Sequence, residues 1–380
     1  MISTDKVSSF PNEQSFGTCD IPQLLPSDVD MCCGLLQVFY ENVDPIISLV
    51  HKPTLDRRFA SFVGGYVSEV LMEKQGPMNS TERELEATGL INFRALAFSI
   101  FFSAVTSLPS GAVLSRYGEE KTHLLATYRK GLELSLVAAG FCDSSSIEVL
   151  QAFVLFLSCQ MRDESMGRTW PLLGVAIRVA KSQGLHSEPT LFSPVPNEVS
   201  VELRRRIWHQ IFYLECRAAE VKGYRASLTD DSFSTAFPRN VNDVDLVETR
   251  PPRELVDDAE NLRFTDMTCE LCRFRMFKVT RQIMQKVEVL NRKIRMTSPQ
   301  AMDQRIADFN RIFRETTMLL DYVRAQNEKN FSATIAAISP IEKLTRMVSK
   351  SMEWKCWLSF WCGIPKDFAE KVMSDDARRT

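Results

Sequence analysis

The stretch GRTWPLLGVAIRVAKSQGLHSEP, Gly167 to Pro189, decides how this chain is read. Apolar residues Trp170, Leu173, Ile177 and Ala180 recur at three- and four-residue spacing, the period of a helix face. Gly184 stands where the backbone needs a left-handed residue to leave that helix. Leu185 is placed to pack back on the last turn, as in a Schellman-type ending. His186 follows the exit, where an imidazole can hydrogen-bond free carbonyls and, when charged, complement the negative end of the helix dipole. A lone histidine in this place reads as a cap or packing residue before it reads as chemistry.

Upstream, SSIEVLQAFVLFLS opens with Ser145 three residues before Glu148, a capping-box spacing, and then runs apolar on several faces. The pattern predicts a central, mostly buried helix that forms an antiparallel hairpin with the Trp170 helix. Earlier still, GLINFRALAFSIFFSAVTSL (Gly89–Leu108) is the most hydrophobic run. Asn92 and Arg94 interrupt it, so it reads as a buried helix of a soluble domain and not as a membrane span.

Downstream, LFSPVPNEVS is a Pro-punctuated loop whose Asn197 or Ser200 would cap the next helix, VELRRRIWHQIFYLECRAAEVKG. Ile207, Ile211 and Leu214 form its stripe, Trp208 and Phe212 flank it, and Gly223 marks its end. An acid-rich, turn-rich segment from Ser227 to Arg253 follows and reads as an inter-subdomain connection. Beyond it, two amphipathic patterns carry Phe264, Met267, Leu271 and Phe274, then Met302, Ile306, Phe309, Phe313, Leu320 and Val323. Ser298–Pro299 would start the second. EWKCWLSFWCG closes the series as a further helix. The expectation is an all-α, multi-helix bundle of stacked helical hairpins. Residues 1–23 read as a disordered tail, 24–250 as the main domain, and 251–380 as helices continuing it.

Composition is ordinary: 380 residues, 44% hydrophobic, 25% charged, net charge −2. A near-neutral total gives no global electrostatic pull toward nucleic acid or anionic membrane. MISTDKVSSFPNEQ has no apolar core, so no secretory signal is read there, and the ten cysteines are expected as reduced thiols.

Motifs for chemistry are scarce. Cys269–x2–Cys272 has no second pair at zinc-finger spacing, and on a helix the two thiols lie one turn apart. The four histidines, His51, His123, His186 and His209, match no H-E-x-x-H. Phosphate-binding glycine loops and a G-x-S-x-G elbow are missing. Trp170, Leu173 and Gly174 match the opening of a tetratricopeptide repeat, without its remainder or its period. Asp230 and Asp231, with Asp243 and Asp245, are the acids a divergent all-α enzyme could use. They lack the third ligand of a D-D-x-x-D magnesium site and read first as solvated turn residues. Arg204, Arg205 and Arg206 read as a solvated helix face, with Glu202 in reach of Arg205 or Arg206. The same reading holds for Arg273, Arg275, Lys278 and Arg281.

Taken in order, five segments nonetheless form a series: FYENVDPIISLVHKPTL (Phe39–Leu55), Gly167–Pro189, ELRRRIWHQIFYLE (Glu202–Glu215), GYRASLTDDSF (Gly223–Phe233) and FPRNVNDVDL (Phe237–Leu246). The series resembles the regulatory domain of fungal zinc-cluster transcription factors, the fungal-specific transcription factor domain or middle homology region. It covers about Leu24 to Leu246 and, more loosely, the C-terminal helices. Arg178, Ala180, Gly184, Leu185 and His186 match the family's R-x-A-x-x-x-G-L-H. Arg205, Arg206 and Trp208 match its R-R-x-W helix, and Asp243 and Asp245 its acidic pattern after the loop. The chain departs from the family at Cys216, where an arginine usually follows the acid, and at Tyr224 and Arg225 after Gly223.

The resemblance implies architecture and no catalytic, cofactor-binding or metal residue: Arg178, Gly184, His186, Arg205, Arg206, Trp208, Gly223 and Asp243 are structural motif positions. It implies a nuclear regulator of transcription controlling a metabolic or secondary-metabolite gene cluster. Zinc is expected only in the family's six-cysteine DNA-binding module. Only Cys19 precedes Cys32–Cys33 here, so the module is read as absent and DNA contact as indirect. Expected partners are a full-length zinc-cluster factor or other transcription machinery, with room for a small-molecule effector and no membrane role. An enzyme using the acidic loop and a scaffold outside the nucleus are the alternatives.

Overall fold

Among the residues that the computed structural model describes (21–26, 28–71, 80–161, 166–223, 226–252, 263–296, 302–331 and 338–370), regular structure is helical and no strand occurs. The helices are α1 (Val29–Asn42), α2 (Lys52–Leu71), α3 (Ser80–Ser107), α4 (Ser110–Tyr117), α5 (Lys121–Ala138), α6 (Ile147–Gln160), α7 (Met166–Ser182), α8 (Glu198–Lys222), α9 (Thr268–Met296), α10 (Met302–Glu328) and α11 (Pro340–Cys362). They divide into two compact units, Met1–Pro238 with Asp243–Glu254, and Arg239–Asn242 with Leu255–Thr380.

The first unit is organised around α3 and α6, the two runs that carry apolar side chains all round. A helix hydrophobic on every face has to be buried on every face. Val149 to Leu157 of α6 are buried without interruption, and α3 is buried from Ala95 to Val105. Gly89–Ser107 is long and apolar enough to cross a membrane by composition, but 67% of it is buried in the fold. Helix α3 packs on α1, α5 and α6. At Gly131 of α5 a Cβ would stand 2.3 Å from the Phe98 ring, so only glycine lets α5 approach α3 this closely.

Helices α6 and α7 pack as the predicted hairpin. The expected capping box at Ser145 is not there. Helix α6 starts after Ser146 with no side-chain cap, and Glu148 instead accepts two hydrogen bonds, each 2.9 Å, from Arg58 of α2. A forked guanidinium–carboxylate pair is a stronger claim on that carboxylate than an N-terminal amide. The exit from α7 follows the sequence closely. Gly184 has φ +77°, its N–H reaches Lys181 O (3.0 Å), and Leu185 N–H reaches Ala180 O (2.9 Å), which completes a Schellman motif. Leu185 is fully buried. Trp170 departs from the expectation: the buried stripe of α7 is Leu173, Ala176, Ile177 and Ala180, while Trp170 is exposed.

The second unit contains α9, against which α10 and α11 pack. Its core joins Met276, Ile283, Val287 and Leu290 of α9, Phe309, Ile312 and Leu320 of α10, and Cys356 and Phe360 of α11. Ser339 caps α11 by accepting the Glu342 N–H, and Pro340 occupies the first turn, where its missing N–H costs nothing. Ser298–Pro299, read as the start of α10, lies outside the described residues, as does the tail to residue 20.

Candidate functional site

Helix α8 carries the polar centre of the first unit. Asn197 caps it, its Oδ1 accepting the Ser200 N–H at 2.8 Å, and Gly223 at φ +68° ends it. Ile207, Trp208, Ile211, Phe212 and Leu214 are all buried. So, unexpectedly, are two of the three arginines. Arg205 and Arg206 are each 1% exposed and Arg204 is half-buried, so the solvated face read from the sequence does not exist. Adjacent residues on a helix point about 100° apart. Here α8 is covered on enough sides that both guanidinium groups point inward.

Each buried arginine has a carboxylate waiting. Arg205 donates to Glu188 Oε1 (2.5 Å) and to Glu202 Oε1 (2.8 Å), which realises the i,i+3 pair anticipated with Glu202. Glu188 also accepts the Ala236 N–H (2.9 Å) and the Thr190 hydroxyl (3.0 Å). Burial alone would raise the Glu188 pKa; the Arg205 and amide hydrogen bonds outweigh it and hold the carboxyl below its usual range. Arg206 donates to Asp243 Oδ1 (2.7 Å) and to Val50 O (2.9 Å). Asp243 Oδ2 accepts the Lys52 N–H at the start of α2 (2.9 Å), and Asp243 O lies 2.9 Å from His51 Nε2. Burial again opposes ionisation of Asp243, and Arg206 with the Lys52 amide overcomes it. One arginine pair thus ties α8 to the α7 exit, to the start of α2 and to the loop after α8.

Asp44 lies beside this network. It is buried, its Oδ2 is 3.2 Å from Lys52 Nζ, and its Oδ1 has no partner among the described residues. Desolvation exceeds the attraction of Lys52 and raises its pKa to about 7, with the Asp243 charge adding to the rise.

The remaining motif residues play smaller parts. The His186 ring does not bond a carbonyl as its position suggested. It packs against Trp208 with ring centroids 6.2 Å apart, and its Nδ1 is buried without a partner among the described residues. Its backbone acts instead: His186 O accepts the Ser234 N–H and Leu185 O accepts the Thr235 hydroxyl, which fastens the loop after α8 to the α7 exit. Trp208 packs on Phe233, in keeping with its core role. Arg178 is exposed and bonds Gly174 O of its own helix. Glu215 accepts the Ser227 N–H and hydroxyl, and Cys216 beside it is buried. Tyr224 and Arg225 lie outside the described residues.

A cleft of about 270 Å³ opens next to the network, between α2, α3, α6 and the first turns of α8. Leu55, Phe93, Leu96 and Leu203 supply apolar wall; His51, Gln151, Arg204 and the Arg58–Glu148 pair supply polar groups. A mostly apolar concavity with a few convergent polar groups is the form small-molecule sites take. Arg58, Gln151 and Glu188 were not singled out from the sequence; His51 stood there only among four scattered histidines, and Glu148 only as a capping-box partner. Gln151 carried a signal: a glutamine inside the run VLQAFVLF has to find a partner, and its amide donates to Leu49 O.

The acidic loop does not converge. Asp230 lies in one 3-10 turn (Asp230–Ser232) and Asp243 in another (Asp243–Asp245), with Asp243 held by Arg206 while Asp231 and Asp245 are exposed. Among the described residues no group of three or more His, Cys, Asp or Glu is placed to hold a metal ion. Cys269 and Cys272 are buried on α9, and burial raises both thiols, Cys272 to about 12, which disfavours the thiolate that zinc or nucleophilic chemistry needs.

Residues 36–325 match the family described as the fungal specific transcription factor domain. The chain is 37% identical over 358 residues to the C6 finger domain transcription factor hasF of Aspergillus fumigatus, covering 93% of this chain and 46% of that protein. It is 31% identical over 242 residues to the pyriculol/pyriculariol biosynthesis cluster transcription factor 1 of Pyricularia oryzae, covering 63% and 29%. The aurofusarin cluster transcription factor of Gibberella zeae is 34% identical over 214 residues, covering 56% and 29%. The chain therefore spans less than half the length of these curated relatives. No solved structure matches it.

Proposed function

The chain belongs to the fungal specific transcription factor domain family, and from that premise we propose that it regulates transcription of a secondary-metabolite gene cluster in the nucleus. It does so without catalysing a reaction. The observation that carries the reading is the match over residues 36–325, a range that contains the buried Arg205–Glu188 and Arg206–Asp243 network. Two relatives are named for the biosynthetic clusters of pyriculol and aurofusarin, which supports the cluster assignment. Of the acids an enzyme would need, Asp243 is neutralised by Arg206, and Asp231 and Asp245 are exposed in separate turns, which favours a regulator over a catalyst.

DNA contact is indirect for these residues: a zinc-cluster factor reads the bases, and this domain controls what that factor does. A small molecule seated in the cleft beside His51 and Gln151 shifts the domain between two states by binding one of them better, since only differential affinity moves such an equilibrium. Transcript and metabolite profiles of a gene-deletion strain, with imaging of a tagged chain, test the reading. A coordinated change in one block of genes and a nuclear signal are expected. Unchanged transcripts with a single missing metabolite would reinstate the enzyme, and an extranuclear signal the scaffold.

A further inference from the structure

Helix α11 is apolar on two opposite sides. One side is explained: Cys356 and Phe360 lie in the core of the second unit, with Met352 packed against it. The other is not. Leu344, Met347, Trp354 and Leu358 are 42, 69, 69 and 63% exposed, with Ser351 exposed between them. Their spacing is three, four, three, four, the a/d register of a heptad, so they form one straight stripe along the helix. Scattered exposed apolar residues need no explanation, but a contiguous row does.

The charges beside the stripe identify what fits it. In this register Lys343 and Lys350 flank the seam on one side, while the Lys355 ammonium, on the other, lies over the Phe277 ring of α9. The acids of α11 are neutralised within the unit, Glu342 by Arg346 and Glu353 by Arg324. The local excess along the stripe is therefore positive. A second copy of α11 would set Lys343 against Lys350 in antiparallel pairing, which is repulsive, and in parallel pairing would bring no carboxylate to either lysine. A lipid surface asks for a broad apolar face, whereas this stripe is the narrow seam of a helix pair. We propose that the outer face of α11 docks an acidic amphipathic helix of a partner protein, with leucine-like residues in the seam and carboxylates opposite Lys343 and Lys350. This stands on the geometry of the second unit and does not depend on the regulatory reading above.

Three synthetic helical peptides test it against the full chain by fluorescence anisotropy. One carries Leu at a and d with Glu at e and g, one carries Lys at e and g, and one has Ala in the seam. The Glu-flanked peptide is expected to bind about tenfold tighter than the Lys-flanked one at moderate salt, and the Ala peptide not at all. Trp354→Glu with Leu358→Glu removes binding. Lys343→Glu with Lys350→Glu, which touches no core residue, reverses the peptide preference and shows that register and charge are responsible. Equal affinity for both charged peptides, or for neither, overturns the proposal. So does a concentration-dependent dimer abolished by Trp354→Glu, which would assign the face to a second copy. Sedimentation with anionic vesicles in place of peptide binding would assign it to a membrane.

Discussion

The two units bury different things. At the centre of the first, Arg205 and Arg206 meet Glu188, Glu202 and Asp243, all nearly inaccessible to solvent. At the centre of the second, Phe309 and Phe313 of α10 meet Trp357, Phe360 and Trp361 of α11, ring against ring. Ion pairs in a low-dielectric interior add little net stability over apolar side chains of the same shape, because both charges lose their water. They do penalise every arrangement in which a charge lacks its partner. The first unit is therefore specified by geometry, while the second is held by area and tolerates exchange among apolar side chains.

Breaking one side of the charged network gives the largest effect. Arg205→Ala strands Glu188 and Glu202 in the core and should cost about 3–5 kcal/mol in urea unfolding, enough to populate unfolded chain under ordinary conditions. If the loss were below about 1 kcal/mol, the pair would be as dispensable as a surface bridge and the contrast between the units would fail.

The next test uses pH. Because Asp44 titrates near 7 in the folded protein and near 4 when unfolded, the fold binds more protons than the unfolded chain between these values. Protonated, Asp44 avoids the cost of burying a charge, and the associated stability is lost as pH rises from about 4 through about 7. Asp44→Asn should therefore remove a decline of about 2 kcal/mol between pH 5 and pH 8. A wild-type profile that stays parallel to that of the variant would show that Lys52 already neutralises this carboxylate.

In the second unit, Phe360→Leu should cost only about 1–1.5 kcal/mol, since the cluster of rings can relax around a smaller apolar side chain. A loss as large as that of Arg205→Ala would show that this core, too, is fixed by shape.

The same contrast governs what the sequence made legible. The apolar periods of α6, α7 and α8 and the positive-φ glycines that end α7 and α8 are local signals, and the helices follow them. The interior of the first unit is not local. Arg205 meets Glu188 seventeen residues away, and Asp243 meets His51 nearly two hundred residues away, so charge patterning along α8 alone predicted a wet face. Ser145 and Glu148 misled for the same reason: Arg58, ninety residues upstream, holds the carboxylate. The cleft is assembled from four helices and has no linear signature. In the second unit, EWKCWLSFWCG was legible as helix but not as a helix with two apolar sides, because periodicity counts apolar residues without telling an inner face from an outer one.

The smallest effect separates backbone from side chain in the motif that set the fold. Gly184 sits at φ +77°, and a Cβ there would meet only the Phe192 ring, at 3.4 Å, an ordinary contact. A substitution is thus strained by conformation and not by crowding. Gly184→Ala should cost about 1 kcal/mol, and Gly184→Asn distinctly less, because asparagine enters the left-handed region more readily. Thermal unfolding of the two variants orders them. If Ala and Asn cost the same, the glycine is there to admit Phe192, and the exit from α7 is set by packing against the Pro189 turn. If Asn recovers most of the loss, the fold turns here because the backbone can, and His186 follows as the residue whose carbonyl meets Ser234.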